Sequence, residues 1–255
     1  MSTRIAVVTG AASGMGRCAA ERLVRSGWTV AAVDLPGVRL EELGAQAGVT
    51  AVPCDVTDAA QVTAASEEVV QRFGGVTRLV NAAGICVRGR IDELPAEAFH
   101  QSMAVNYLGT VHWVKAVLPV MQQRGRGEIA LFASLAGWMP TPAMAAYTAT
   151  KFAVVGFAET LGMELRGTGV KLRCVCPAAV QTPMLDTIMG QGVPERLKKL
   201  GGVSTPELVI DAIEKSLGGR RTFGYVFPGG STRLLYHLRR IAPAPLGLGV
   251  RVLNG

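Results

Sequence analysis

Tyr147 and Lys151 stand four positions apart in a stretch, Ala146 to about Leu165, whose apolar residues recur at helical spacing. Their side chains therefore lie on one helix face, a turn apart. A phenol with a pKa of ~10 is a poor base at neutral pH unless a nearby positive charge stabilises its phenolate. Lys151 supplies such a charge. Ser134 follows the apolar run Glu128 to Ala133, and its hydroxyl can hydrogen-bond the phenol and an alcohol or carbonyl oxygen together. Phenol, ammonium and hydroxyl form a general acid/base set suited to a CH–OH group.

A second constellation opens the chain. The apolar run Ile5 to Thr9 is closed by Gly10-Ala11-Ala12-Ser13-Gly14-Met15-Gly16, within which helix-forming sequence begins. Glycines allow a tight turn and close backbone approach to a pyrophosphate, and the N-terminus of the following helix offers unpaired N–H groups. The spacing Gly-x-x-x-Gly-x-Gly departs from Gly-x-Gly-x-x-Gly. The next run, Thr29 to Val33, ends at Asp34, about 20 residues after the turn, where an acid binds the adenosine ribose hydroxyls. No Arg or Lys follows in Leu35-Pro36-Gly37 to receive a 2′-phosphate, so the expected cofactor is NAD.

These residues need a frame. Apolar runs at Ile5–Thr9, Trp28–Val33, Val49–Pro53, Arg78–Asn81, Glu128–Ala133, Lys171–Cys176 and Tyr225–Phe227 alternate with helical patterns. The helices are read at Gly14–Arg25, Val38–Ala47, Ala59–Phe73, Pro95 to about Gln123, Ala146–Leu165 and Pro206–Leu217. Such alternation predicts an α/β fold: one doubly wound domain over residues 1–230, with a mostly seven-stranded parallel sheet covered on both faces. The breaks at Ser134–Met144 and Ala178–Ser204 both follow strands, and ligands bind beyond the carboxyl ends of strands in such sheets. Substrate-facing positions are therefore Ala136, Gly137, Trp138, Met139, Pro140 and Met144 in the first loop. In the second they are Met184, Leu185, Ile188 and Met189. These apolar walls suit a lipophilic ketone or secondary alcohol.

Composition narrows the class. Of 255 residues 49% are hydrophobic and 18% charged, which excludes a disordered or fibrous chain. No apolar run approaches the ~20 residues of a spanning helix and the start lacks a signal-peptide pattern, so a cytoplasmic protein is expected. Five cysteines without Cys-x-x-Cys and three scattered histidines predict neither a disulfide framework nor a metal site. Residues 1–214 carry 19 basic and 19 acidic side chains, so the net +7 resides in 215–255. That balanced body argues against nucleic acid. In the tail, 231–255, Leu234, Leu235, Leu238 and Ile241 form one helical stripe beside Arg233, His237, Arg239 and Arg240, before Pro243 and Pro245. The stripe is expected to dock on the body or a neighbouring subunit; peripheral contact with an anionic membrane is the sharper alternative.

Across residues 3–230 the pattern resembles the short-chain dehydrogenase/reductase family. The motifs that carry the resemblance are Thr9 to Gly16, Asp55-Val56, Asn81-Ala82-Ala83-Gly84, Asn106, Ser134 and Tyr147-x-x-x-Lys151. It implies that Gly10, Ser13, Gly14, Met15 and Gly16 bind the cofactor phosphates, that Asp55 and Val56 border the adenine, and that Asn81, Ala82, Ala83 and Gly84 stabilise the sheet beside the cofactor. Lys151 would also hold the nicotinamide ribose, and Asn106 a water extending a proton path from Tyr147. Pro177, Val180 and Thr182 would meet the nicotinamide carboxamide end. Ala178 stands where the family usually has Gly, narrowing the floor. A homotetramer or dimer packed through the helices around Asn106 and Tyr147 is also implied. Two other readings stay open on this scaffold: an isomerase or dehydratase, and a non-catalytic NAD(H)-binding protein.

Overall fold

Strand β1 (Ile5–Thr9) is buried at every position, and its alternate residues serve opposite faces of one sheet. Ile5 and Val7 join one apolar cluster, Ala6 and Val8 the other. A computed structural model describes residues 4–189 and 203–241. β2 (Thr29–Asp34), β3 (Val49–Pro53), β4 (Arg78–Asn81), β5 (Gly127–Phe132), β6 (Val170–Val175) and β9 (Phe223–Val226) complete a seven-stranded sheet in the order β3-β2-β1-β4-β5-β6-β9. Every pairing is parallel. A short pair, β7 (Ala179–Val180) with β8 (Val203–Ser204), stands apart.

On one face lie α3 (Ala59–Phe73), α5 (Gly109–Gln123) and α6 (Ala145–Glu164), whose Val69, Trp113, Val117 and Val154 meet Leu79, Ile129 and Leu131 of the sheet. On the other lie α1 (Gly14–Arg25), α2 (Val38–Gly44) and α8 (Pro206–Leu217), through Leu23, Leu40 and Ile213. Local chemistry sets the boundaries. The Asp58 carboxylate accepts the N–H groups of Ala60 and Gln61 at the start of α3, and Gly74, at φ 79°, ends it.

Three differences from the sequence-based expectation matter for the site. The run read as one helix from Pro95 to Gln123 is α4 (Ala96–Met103), a π-helical turn (Ala104–Leu108) and α5. The π turn carries Asn106, whose side chain binds groups on two other elements, and single π turns inside helices accommodate such demands. The loop after β6 contains α7 (Pro183–Met189); its continuation, 190–202, lies outside the described residues.

The third difference is in the tail, where α9 (Gly230–Ile241) forms. The face it buries carries Thr232 and Tyr236, whereas Leu234, Leu238 and Ile241 are exposed. Of the expected stripe only Leu235 is half-buried, so the stripe as a whole is not the face that docks in this chain. Tyr236 wins because its ring stacks among Trp138, Tyr225 and Phe227, and aromatic rings bury more area than leucine side chains. Pro243, Pro245 and the rest of 242–255 lie outside the described residues.

Candidate active site

The turn after β1 is packed backbone against backbone. Gly10 has φ 65°, and a Cβ on Gly16 would fall 2.1 Å from the Gly10 carbonyl oxygen. Ser13 precedes α1 without capping it through its side chain, and the first turn of α1 contains no acid. The leading N–H groups therefore keep their capacity for an anion, and they border a cavity of about 690 Å³. Gly10, Ser13, Gly14, Met15, Gly16, Asp34, Asp55 and Val56 line it, with Ala82, Ala83, Gly84 and Thr182. Glycine backbone, free helix N-terminus and a carboxylate at the end of β2 fit a dinucleotide.

Asp34 is held in place by the turn it faces. Its two oxygens accept the N–H of Ala12 and of Leu35, each at 2.8 Å, and each keeps a second lone pair for a hydroxyl donor. One Asp55 oxygen takes both the N–H and the hydroxyl of Thr57. Asn81 does not line the cavity. It is buried beneath, accepting from the Thr9 hydroxyl at 3.2 Å and donating to that of Thr110 at 2.8 Å, while Ala83 N–H donates to the same Thr9 oxygen. Its work is to fasten β1 and β4 to α5.

A second cavity, of about 380 Å³, adjoins the first and shares Met15, Ala82, Gly84, Thr182 and Met184 with it. Ser134, Tyr147 and Lys151 border it. The Ser134 hydroxyl oxygen accepts the Ala136 N–H at 3.1 Å, and the hydroxyl lies close enough to the Tyr147 phenol to lower its pKa. Lys151 Nζ donates to the Phe132 carbonyl at 2.8 Å and lies 5.4 Å from the centre of the Tyr147 ring.

Burial governs the protonation of both groups. It pushes the Tyr147 phenol well above its ordinary value, against the opposing influence of the Ser134 hydroxyl, and it brings the Lys151 ammonium down to about 8. Lys151, expected to lower the phenol's pKa, is not among the groups that shift it in this cavity. Its ammonium is aimed at a backbone carbonyl, and removal from water disfavours both charged forms. Added positive charge at the seam of the cavities would favour the phenolate.

Asn106, also buried, commits both N–H hydrogens and one oxygen lone pair of its amide. Its oxygen accepts the Ile85 N–H at 2.8 Å, and its two N–H hydrogens go to the Ile85 carbonyl and the Thr150 hydroxyl. It clamps the strap after β4 to α6, and the second lone pair of its oxygen is what its side chain keeps for the water foreseen there.

Of the expected substrate positions, Ala136, Met139, Met144, Met184, Leu185, Ile188 and Met189 border the second cavity, as do Pro177, Ala178 and Val180. Gly137 and Pro140 do not. Trp138 is a correction as well: its indole turns away and packs edge-on against Tyr225 and Tyr236. Sequence reasoning missed Thr141, Pro142 and Arg88 on this cavity, and Glu97, His100 and Gln101 on the first. The last three follow one another along α4, but nothing in their spacing distinguishes them from a solvated helix face.

The short-chain dehydrogenase family model matches residues 4–191, and the chain belongs to that family. It is 34% identical over 251 residues to 2-(S)-hydroxypropyl-CoM dehydrogenase 3 of Xanthobacter autotrophicus, covering 92% of this chain and 98% of the relative. It is 37% identical over 187 residues to 2-dehydro-3-deoxy-L-rhamnonate dehydrogenase (NAD(+)) of a Sphingomonas species, covering 72% and 75%. A short-chain dehydrogenase/reductase from Burkholderia phymatum, solved in complex with NAD, superimposes with a TM-score of 0.83 at 29% identity over 94% of each chain. The family and these relatives support an oxidoreductase acting on a small molecule.

Proposed function

We propose that this protein is an NAD-dependent oxidoreductase that interconverts a secondary alcohol and a ketone. The observation that carries this reading is the junction of the two cavities, a dinucleotide-sized one lined by glycine backbone and an apolar one bordered by Ser134, Tyr147 and Lys151. Gly10 to Gly16 would hold the pyrophosphate, Asp34 the adenosine ribose, Asp55 and Val56 the adenine. Lys151 would hold the nicotinamide ribose, and Val180 and Thr182 the carboxamide end. The cofactor supplies a hydride acceptor and a positive ring.

The chain's own part is proton handling and position. Tyr147 Oη takes the substrate hydroxyl proton in oxidation and returns it in reduction, while the Ser134 hydroxyl donates to the oxygen on which charge develops. The apolar side chains of Met139, Met144, Met184, Leu185 and Ile188 exclude water and favour a lipophilic chain. A homo-oligomer fits the exposed Leu108, Phe152 and Met163 on the helices around Asn106 and Tyr147. The exposed Leu234, Leu238 and Ile241 of α9, beside Arg233, His237 and Arg240, suit contact with an anionic membrane surface.

A screen of secondary alcohols with NAD, read as NADH absorbance, tests the reading. Net NADH formation is expected; conversion of substrate without net NADH would instead support an isomerase or dehydratase.

A further inference from the structure

The apolar cavity has a cation at its rim. Arg88 borders it while remaining exposed to solvent, and it sits on the strap that runs from Asn81 at the end of β4 past Gly84. The strap is fixed at both sides of Arg88. Asn106 holds Ile85 by two hydrogen bonds, and the Gly89 N–H donates to the Ala143 carbonyl at 2.9 Å in a bridge that aligns Gly89 with Met144. Ala143 itself is in the left-handed region, φ 59°, a conformation an alanine keeps only under surrounding constraint.

Across the rim, Arg88 Nη1 donates to the Ile188 carbonyl at 3.2 Å. A guanidinium has five N–H donors, so this bond leaves most of them uncommitted. Among the described residues, the cavity lining contains no Asp or Glu and Arg88 forms no ion pair. The other lining cation, Lys151, is at the catalytic end and bonded to Phe132. The cavity thus has a proton-handling end at Ser134 and Tyr147, an apolar middle, and at its mouth a guanidinium with no ion-pair partner among the described residues.

We infer that the substrate is amphipathic, carrying a carboxylate, sulfonate or phosphate at the end remote from its carbinol carbon, and that Arg88 is the residue that recognises this anion. The inference rests on the oxidoreductase reading above and sharpens its substrate class. Guanidinium and oxyanion match in planar, charge-assisted geometry, and the apolar middle accounts for the intervening chain. If Arg88 served only to fasten α7 through Ile188, its loss would weaken charged and neutral ligands alike.

The test compares straight-chain carboxylates from hexanoate to decanoate with the amides of the same length, binding each by calorimetry to the full-length protein with NADH present. At the best chain length the carboxylate is expected to bind about tenfold more tightly than its amide, with the preference falling as salt is raised. Arg88→Gln should abolish the preference while changing amide affinity less than about twofold, and Arg88→Lys should retain part of it. Equal affinities at every length, absence of carboxylate binding, or parallel losses for both ligands in Arg88→Gln would overturn the assignment. Turnover of the corresponding (ω−1)-hydroxy acids and neutral secondary alcohols separates the two readings. Carboxylate preference without any NADH formation overturns the oxidoreductase reading alone, and turnover without preference overturns the Arg88 assignment alone.

Discussion

The two adjoining cavities are built from different materials. The larger is made by backbone: a turn whose Gly10 and Gly16 leave no space for side chains, the open N-terminus of α1, and a carboxylate fixed by two N–H groups of the same region. The smaller is made by side chains on loops after β5 and β6, with a buried phenol and ammonium at one end and Arg88 at the other. A site that recognises an invariant dinucleotide can be rigid backbone, whereas a site that selects a substrate is assembled from loop residues that can be exchanged without disturbing the sheet.

The sharpest way to break this comparison is to remove the proton donor from the side-chain half alone. Tyr147→Phe is expected to lower kcat by ~10²- to 10⁴-fold while NADH affinity stays within about twofold of the unmodified protein, measured by fluorescence titration. A Phe variant with half the original rate would show that the phenol is not the acid/base group.

Lys151 tests whether the side-chain half is held under electrostatic stress. Its folded-state pKa lies near 8, below the ordinary 10.5. Below about pH 8 the buried ammonium is charged in folded and unfolded chains, so its desolvation weighs fully against folding. Between about pH 8 and 10.5 the folded state gives up the proton first, and the penalty is relieved. Lys151→Met is therefore expected to abolish turnover yet stabilise the fold at pH 7 by ~1–3 kcal/mol, the gain shrinking above pH 8. Denaturant melts at pH 7 and pH 10 check this, and a destabilised Met variant at pH 7 would contradict it.

In the backbone half, Asp34 is the one side chain asked to discriminate. NAD is expected to be preferred over NADP by at least tenfold in kcat/KM, equivalent to ~1.4 kcal/mol, and Asp34→Ala should erode that margin. Equal efficiency with both cofactors in the unmodified protein would remove Asp34 from this role. The smallest effect is expected outside both cavities. Co-sedimentation with anionic vesicles at low salt should be lost in a Leu234→Asp/Leu238→Asp variant that retains turnover, and neutral vesicles should bind neither form. Binding unchanged by the two substitutions would exclude this face.

What the sequence by itself determined is the part governed by local rules. Continuous apolar runs alternating with helical patterns specify a parallel sheet covered on both faces, whereas the order of the seven strands is given by the tertiary structure. The glycine turn, Asp34 and the Tyr147/Lys151 spacing are legible because each depends on a residue's own backbone freedom, on a strand end, or on one helical turn. Tertiary structure alone decided where loop side chains point. Trp138 lies one residue from a stretch that borders the apolar cavity, yet the arrival of Tyr236 from α9 draws its indole the other way. The π turn at Asn106 exists because Ile85 and Thr150 converge there from distant parts of the chain. Arg88 carries no motif, and its place at the rim follows from the Asn106 bonds to Ile85 and the bridge between Gly89 and Met144. The cause is the same in each case: a side chain's direction in a loop is set by contacts between residues far apart in sequence, and these leave no periodic or compositional trace.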